Sequence, residues 1–219
     1  MRIAAIGDIH MALDNWARHP AREAELLLVT GDLTNFGHRA EAERVLSALR
    51  PRQGGRLLAV PGNLDHREVG DYLTAEGINL HGRGMVIDGV GFFGVGGSNP
   101  TPFHTPLEFS EEELYLLLTA GHRQVREAPI RILVSHAPPH GTRTDRLGNG
   151  THAGSTALRR FIEEEQPDLC LCGHIHEARG EEVLGRTRVL NPGMLKDGGW
   201  VGISINHSTV AAGLEQAAG

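Results

Sequence analysis

The chain has 219 residues, 27 acidic against 21 basic side chains, a formal net charge of −6 and 40 % hydrophobic residues. This composition excludes a disordered chain, and the acidic balance argues against a protein that binds long nucleic acids. No apolar run reaches the roughly 18 residues of a membrane span, and the first eight residues turn polar too soon for a secretory signal, so a cytoplasmic protein with no membrane partner is expected.

Short apolar runs, each followed by a polar segment, recur along the chain and predict buried strands. The predicted strands cover residues 2–6, 26–30, 56–60, 130–134 and 169–172. Helical patterns between them predict helices over 39–49, 67–76, 111–121 and 155–165, with Ser155 as a possible N-cap. Alternating strands and helices indicate an α/β protein with at least part of its sheet parallel.

Two further segments have the pattern of β-hairpins. Residues 85–95 contain Asp88-Gly89 between two apolar runs, and the runs 200–205 and 209–213 flank a polar turn. Antiparallel hairpins beside parallel strands favour a mixed sheet or two packed sheets. No repeat or linker divides the chain, which predicts one domain over residues 1–219.

The residues best suited to catalysis or metal binding directly follow the predicted strands. These residues are Asp8, His10, Asp32, Asn63, His136, His174 and His176. Ligands bind at the carboxyl ends of strands in open α/β sheets, so we expect these seven side chains to meet at one edge. Mixed nitrogen and oxygen ligands suit Mn, Fe, Zn, Co or Ni, and we favour Mn. Seven ligands are enough for two divalent ions that share one carboxylate.

The order of these motifs resembles the calcineurin-like metallophosphoesterases, in particular the small bacterial and archaeal phosphoesterases of the Icc-related type. The motifs are Asp8-Ile9-His10, the Gly-Asp-Leu-Thr-Asn-Phe-Gly run at 31–37, Gly62-Asn63-Leu64-Asp65, Ser135-His136-Ala137, Gly173-His174-Ile175-His176 and the turn Asn191-Pro192-Gly193. The resemblance implies a two-sheet β-sandwich flanked by helices, in four layers, with a dinuclear metal site at one sheet edge.

The resemblance also implies roles for single residues. One metal ion would be held by Asp8, His10 and His176, the other by Asn63, His136 and His174, and Asp32 would bridge them. The implied activity is hydrolysis of small phosphate monoesters or diesters, nucleotides among them, by attack of a metal-bridging hydroxide. Asp32, Asn63 and His136 are then the residues most directly tied to catalysis.

One residue departs from the family pattern. Many members have a histidine after the asparagine, where it is thought to protonate the leaving oxygen, and this chain has Leu64. Another histidine would have to substitute, with His66, His104, His140 and His152 as candidates; alternatively the substrates have good leaving groups, or the chain binds metal and catalyses poorly. The role of Asp65, which usually supports the missing histidine, is open.

The segment 140–154 follows a metal-ligand motif and is rich in glycine and basic side chains. We predict that His140, Arg143, Arg146 and His152 bind substrate phosphate; the alternative is a solvated connection into the next helix. Two other functions stay open, a nuclease acting on short oligonucleotides and a metal-binding scaffold for protein partners with little catalysis. The sequence does not indicate an oligomeric state.

Overall fold

The computed structural model describes residues 1–206 and 209–217 of the chain. In this part of the chain there are four α-helices: α1 (Arg39–Leu49), α2 (Arg67–Ala75), α3 (Glu111–Arg123) and α4 (Thr156–Glu165). The same residues form eleven strands: β1 (Arg2–Ile6), β2 (Leu26–Val29), β3 (Arg56–Ala59), β4 (Gly84–Ile87), β5 (Val90–Val95), β6 (Ile130–Ser135), β7 (Leu169–Leu171), β8 (Gly180–Leu184), β9 (Thr187–Asn191), β10 (Gly199–Asn206) and β11 (Thr209–Gln216).

The strands form two mixed sheets. The first has five strands in the order β11-β10-β1-β2-β3, and β1, β2 and β3 run parallel. The second has six strands in the order β4-β5-β6-β7-β9-β8, with β5, β6, β7 and β9 parallel and an antiparallel strand at each edge. The expectation of packed sheets rather than one parallel sheet is confirmed.

The strand pleat divides the apolar residues between two kinds of core. Ile3 and Ala5 of β1 face the core between the two sheets, whereas Ala4 and Ile6 pack under α1 and α2. On the other side, Phe93 of β5 packs against α3 and α4 while its neighbour Phe92 points between the sheets. The protein therefore has four layers, in the order helices, sheet, sheet, helices, as expected.

The predicted helices and the five predicted core strands are confirmed, with boundaries that differ by at most two residues. Ser155 is the N-cap of α4, and its hydroxyl accepts the Leu158 N–H at 3.1 Å. Asp88 and Gly89 both have positive φ, as a two-residue hairpin turn requires. In the second hairpin Asn206 pairs with Thr209, and the polar turn at 207 and 208 lies outside the described residues.

The β8–β9 hairpin is an element that the sequence analysis missed. Strand β8 carries the charged residues Glu181 and Glu182 because it is the edge of its sheet, and Arg188 of β9 donates a hydrogen bond to Glu181 at 2.9 Å. The available signal was Gly185, which has φ +62 in the turn between the strands. None of the described helices is long and apolar enough to cross a lipid bilayer.

Candidate metal centre

The loops after β1 and β2 are joined by backbone hydrogen bonds. The Asp8 N–H donates to the Gly31 carbonyl at 3.1 Å, and the His10 N–H donates to the Asp32 carbonyl at 2.9 Å. Asp8, His10 and Asp32 all have positive φ, a conformation that costs free energy outside glycine and clusters at functional sites. This backbone turns two carboxylates, both buried, towards the same point.

One group of ligand atoms lies around Asp8. Asp8, His10, Asp32 and His176 each have one such atom, and these atoms all lie within 4.8 Å of one another. His10 Nε2 is 3.1 Å from His176 Nε2, and His176 Nε2 is 3.5 Å from Asp8 Oδ1. Asn35 donates its Nδ2–H to the His10 carbonyl, so its Oδ1 accepts the His10 Nδ1–H at 2.8 Å. In neutral His10 the Nε2 lone pair therefore faces the group.

A second group of ligand atoms lies around His136, which is fully buried directly after β6. Its Nδ1–H donates to the Thr30 carbonyl at 2.9 Å, and burial lowers the pKa of His136, which keeps the ring neutral. The Nε2 lone pair then points at Asn63 Oδ1 at 2.8 Å and at Asp32 Oδ1 at 3.5 Å. Asp32 thus lies beside both groups.

A hydrogen-bond chain fixes the orientation of the Asn63 amide. Thr105 donates its hydroxyl to the Glu108 carboxylate at 2.7 Å, so Thr105 Oγ1 must accept the Asn63 Nδ2–H at 3.0 Å. The amide oxygen of Asn63, rather than its NH₂ group, therefore faces His136. Burial alone would raise the pKa of Glu108, but hydrogen bonds from Thr101 and Thr105 outweigh it and lower that pKa to about 2.

The last predicted ligand, His174, is tied to the first group through its backbone. Its N–H donates to both Asp8 carboxylate oxygens, at 3.1 and 3.2 Å. Its ring lies edge-on to the His136 ring, with centroids 5.1 Å apart. Burial and the neighbouring His136 lower the pKa of His174 to about 3, so this imidazole is also neutral at pH 7.

These contacts test whether the residues fit divalent cations. In the second group the Asn63 amide oxygen and the His136 Nε2 lone pair converge with no proton donor between them, which is unfavourable unless a cation lies there. In the first group the hydrogen bond with Asp8 raises the pKa of His176, and a cation bound between these two side chains would replace the proton that they share. Burial, together with the nearby Asp65 and Asp8, raises the pKa of Asp32 well above its usual range, because close buried carboxylates repel one another. Neutral imidazoles and a shared carboxylate are the ligand set that two transition-metal ions prefer, so the residues fit.

A cavity of about 750 Å³ opens over this centre. Its lining includes Asp32, Asn63, His174 and His176, and no lysine or arginine among the described residues. A phosphate group in this cavity would therefore need bound cations to offset the charge of the carboxylates.

The structure separates the four predicted substrate-binding residues. His140 and His152 line the cavity, with ring centroids 5.8 Å apart. Arg143 and Arg146 are exposed and do not belong to the described lining.

Leu64 and Asp65 have different surroundings. Leu64 lines the cavity, and its backbone N–H donates to Asp32 Oδ1 at 2.9 Å. Asp65 is fully buried and accepts the Gly62, Leu33 and Thr34 N–H groups and the Thr34 hydroxyl, at 2.7 to 3.1 Å. Asp65 therefore joins the loops after β2 and β3, which is a role that needs no histidine at position 64.

The residues that orient the candidate ligands were not predicted from the sequence. Asn35 lies inside the quoted run at 31–37 and was identifiable as a neighbour of Asp32. Thr105 and Glu108 lie in the segment between β5 and α3, far along the chain from Asn63 and next to no motif. Only the folded chain reveals their contact with the centre.

The comparisons with known proteins agree with this architecture. The profile of the calcineurin-like phosphoesterase family matches residues 1–178. The uncharacterized protein MJ1162 of Methanocaldococcus jannaschii is 39 % identical over 196 residues, which cover 88 % of each chain. The UPF0046 protein K07C11.7 of Caenorhabditis elegans is 26 % identical over 217 residues, covering 90 % of this chain and 71 % of that protein.

Solved structures show the same fold at low sequence identity. The protein TT1561 of Thermus thermophilus superposes with a TM-score of 0.69 at 19 % identity, covering 97 % of both chains. A dimetal phosphatase from Danio rerio superposes with a TM-score of 0.60 at 11 % identity, covering 99 % of this chain and 96 % of that one. These two likenesses show the fold alone.

Proposed function

Because this chain belongs to the calcineurin-like phosphoesterase family, a family of metal-dependent phosphoester hydrolases, we propose that it hydrolyses small phosphate esters with two divalent cations bound. The observation that carries the proposal is the convergence of carboxylate, amide and imidazole ligand atoms around Asp32 at the base of a cavity of about 750 Å³. In this proposal Asp8, His10 and His176 hold one cation, and Asn63, His136 and His174 hold the other. Asp32 is shared, and Mn²⁺ is the favoured ion.

When bound, two such cations supply Lewis acidity that acidifies water near neutral pH and offsets charge on the phosphate. The chain's own residues then have the task of orientation. Thr30 and Asn35 hold His136 and His10 in the tautomer that presents Nε2. Thr105 turns the Asn63 oxygen to the same point. Leu64 cannot give a proton to the leaving oxygen, so that proton has to come from another group.

We extend the proposal to substrates that carry a planar ring, nucleotides among them. Phe36 and Phe103 line the cavity with 58 % and 81 % of their surface exposed, which leaves two aromatic faces free for a base. A mononucleotide or a dinucleotide fits a cavity of this size, and the chain's net charge of −6 disfavours long polynucleotides. Substitution of Phe103 by Ala should raise KM for a p-nitrophenyl nucleotide ester more than for p-nitrophenyl phosphate.

The proposed activity is tested by metal content and ester cleavage together. We expect the purified protein, loaded with Mn²⁺, to bind about two ions per chain and to cleave p-nitrophenyl phosphate or bis-p-nitrophenyl phosphate. Asp32→Ala and His136→Ala should lose activity by at least about 10³-fold. The matched controls Asp71→Ala and His66→Ala change the same residue types at positions that do not line the cavity. Both controls should retain the activity.

Two outcomes would contradict the proposal in different ways. Two bound ions with cleavage of neither ester would favour the scaffold. Cleavage that survives both Asp32→Ala and His136→Ala would place the reaction elsewhere in the chain.

A further inference from the structure

Hydrolysis of an ester with a poor leaving group needs a proton for the departing oxygen. Leu64 occupies the position of the usual proton donor, and its side chain has no proton to donate. Which residue supplies that proton is a question that rests on the proposed function. Four histidines are candidates from the sequence. His66 stacks on His38, with ring centroids 4.1 Å apart, and His104 is exposed; neither belongs to the described cavity lining.

His140 and His152 both line the cavity, and they differ in what holds them. His152 Nδ1 lies 2.6 Å from Asp145 Oδ1. In the part of the chain that the structure describes, the His140 ring has no hydrogen-bond partner, and it stacks on the His152 ring. Only His152 is therefore held in one orientation by a carboxylate.

The Asp145 carboxylate is built into the segment 140–154. It is fully buried and also accepts backbone N–H groups from Gly141, Thr142 and Gly154, at 2.9 to 3.0 Å. Burial alone would raise the pKa of Asp145, but the hydrogen bonds from His152 and these amides outweigh burial and lower it. The ionised, immobile Asp145 carboxylate accepts the His152 Nδ1–H. The other ring nitrogen, Nε2, is then the one that can exchange a proton with a molecule in the cavity.

We propose that His152, oriented by Asp145, donates the proton to the leaving oxygen of the ester. Oxygen from water forms a new bond to phosphorus as the bond from phosphorus to the leaving oxygen breaks. The proton on His152 Nε2 passes to that oxygen, which departs as an alcohol. The attacking water releases its proton to solvent, and His152 Nε2 takes one back before the next turnover.

The surroundings of His152 are compatible with this cycle. With 36 % of its side chain exposed, it can exchange protons with water. Two titratable groups contact His152 directly, the stacked His140 and Arg146, which forms a β-bridge with it. The same cavity lining also contains the titratable residues Glu177, Asp32, His174 and His176. Asp145 is a positioning residue in this scheme because it acts through His152.

The test is the dependence of the rate on the leaving group. We expect His152→Gln to lose about 10²–10³-fold in kcat on phenyl phosphate, whose leaving group is poor, and less than about tenfold on p-nitrophenyl phosphate. His66→Gln, the matched control, should stay within about twofold of wild type on both. Equal losses on both esters, or no loss on either, would overturn the role of His152 while leaving the proposed function intact. A wild-type protein that cleaves neither ester would overturn both.

A second measurement tests Asp145 without any turnover. In ¹⁵N NMR spectra at alkaline pH, the neutral His152 ring of the wild type should be protonated at Nδ1. In Asp145→Asn the ring should shift towards the Nε2-protonated form. An unchanged tautomer in Asp145→Asn would rule out the positioning role.

Discussion

His136 Nε2 lies 2.8 Å from Asn63 Oδ1, although neither atom carries a proton in the neutral ring and the amide as they are oriented. His136 gives its single ring proton to the Thr30 carbonyl, and Asn63 gives an amide proton to Thr105. Two acceptors held this close in a buried site repel each other, and this repulsion adds to that between the carboxylates of Asp8 and Asp32. The fold therefore holds an arrangement that bound cations would stabilise.

A first prediction is that divalent cations stabilise the fold strongly. At a free Mn²⁺ concentration 100 times the dissociation constant, the free energy of unfolding should rise by about 2.7 kcal/mol per site, since only the native state presents the ligands. The measurement is urea unfolding in Mn²⁺ and in EDTA. Asp32→Asn should lose most of the difference between the two conditions. Identical unfolding curves in Mn²⁺ and EDTA for the wild type would contradict the assignment of the centre.

The second prediction concerns the hydroxyl of Thr105. Thr105→Val keeps the shape of the side chain and removes the acceptor that orients Asn63, so the affinity for one Mn²⁺ should fall about 10–100-fold. Thr105→Ser, which keeps the hydroxyl, should bind as the wild type does. Isothermal titration calorimetry measures both without a substrate. If Thr105→Val binds both ions with wild-type affinity, the hydrogen bond has no part in holding the ligand.

The contact between Thr105 and Asn63 also shows which features of the site could be predicted from the sequence and which could not. The strands and the convergence of the seven candidate ligands were predictable because apolar runs and the polar residues that follow them are local patterns, and the sheet brings their ends together. Thr105 was not predictable, because its contact with Asn63 depends on how the segment between β5 and α3 crosses the cavity. The missed β8 strand has a similar cause, since an edge strand with charged side chains lacks an apolar run.

The third prediction follows from the close approach of Gly62 to Asp32. A Cβ atom at Gly62 would overlap the Asp32 backbone nitrogen and carboxylate, and these atoms cannot move without displacing the shared ligand. Gly62→Ala should cost about 1–3 kcal/mol of stability and reduce Mn²⁺ affinity at least about tenfold.

Gly70 in α2 is the matched control for this substitution. Its added Cβ would meet only Pro61, at 3.8 Å, and alanine is the better helix former. Gly70→Ala should therefore raise stability by about 0.5–1 kcal/mol and leave Mn²⁺ binding unchanged. Equal metal affinity in the two variants would show that the contact at Gly62 does not position Asp32.

The last prediction concerns the pH dependence of stability and a histidine outside the centre. His81 Nδ1 accepts the Gly96 N–H at 2.9 Å, and its ring packs beside Phe109. Burial lowers the pKa of His81 to about 4, and the positive charge of the nearby Arg83 adds to this shift. The histidine pKa in the unfolded chain is 6.5. Between pH 4 and pH 6.5 the unfolded chain therefore binds a proton at this histidine more readily than the folded chain does.

The stability that His81 contributes is therefore complete above pH 6.5 and decreases as the pH falls towards 4. Between pH 7 and pH 5 the wild type should lose about 2 kcal/mol more than a variant in which this group does not titrate. His81→Asn is that variant, because its side-chain oxygen can still accept the Gly96 N–H. Urea unfolding of both proteins at several pH values in EDTA, which excludes metal effects, gives the difference. Parallel curves for the two proteins over this range would mean that His81 is as easily protonated in the folded chain as in the unfolded one.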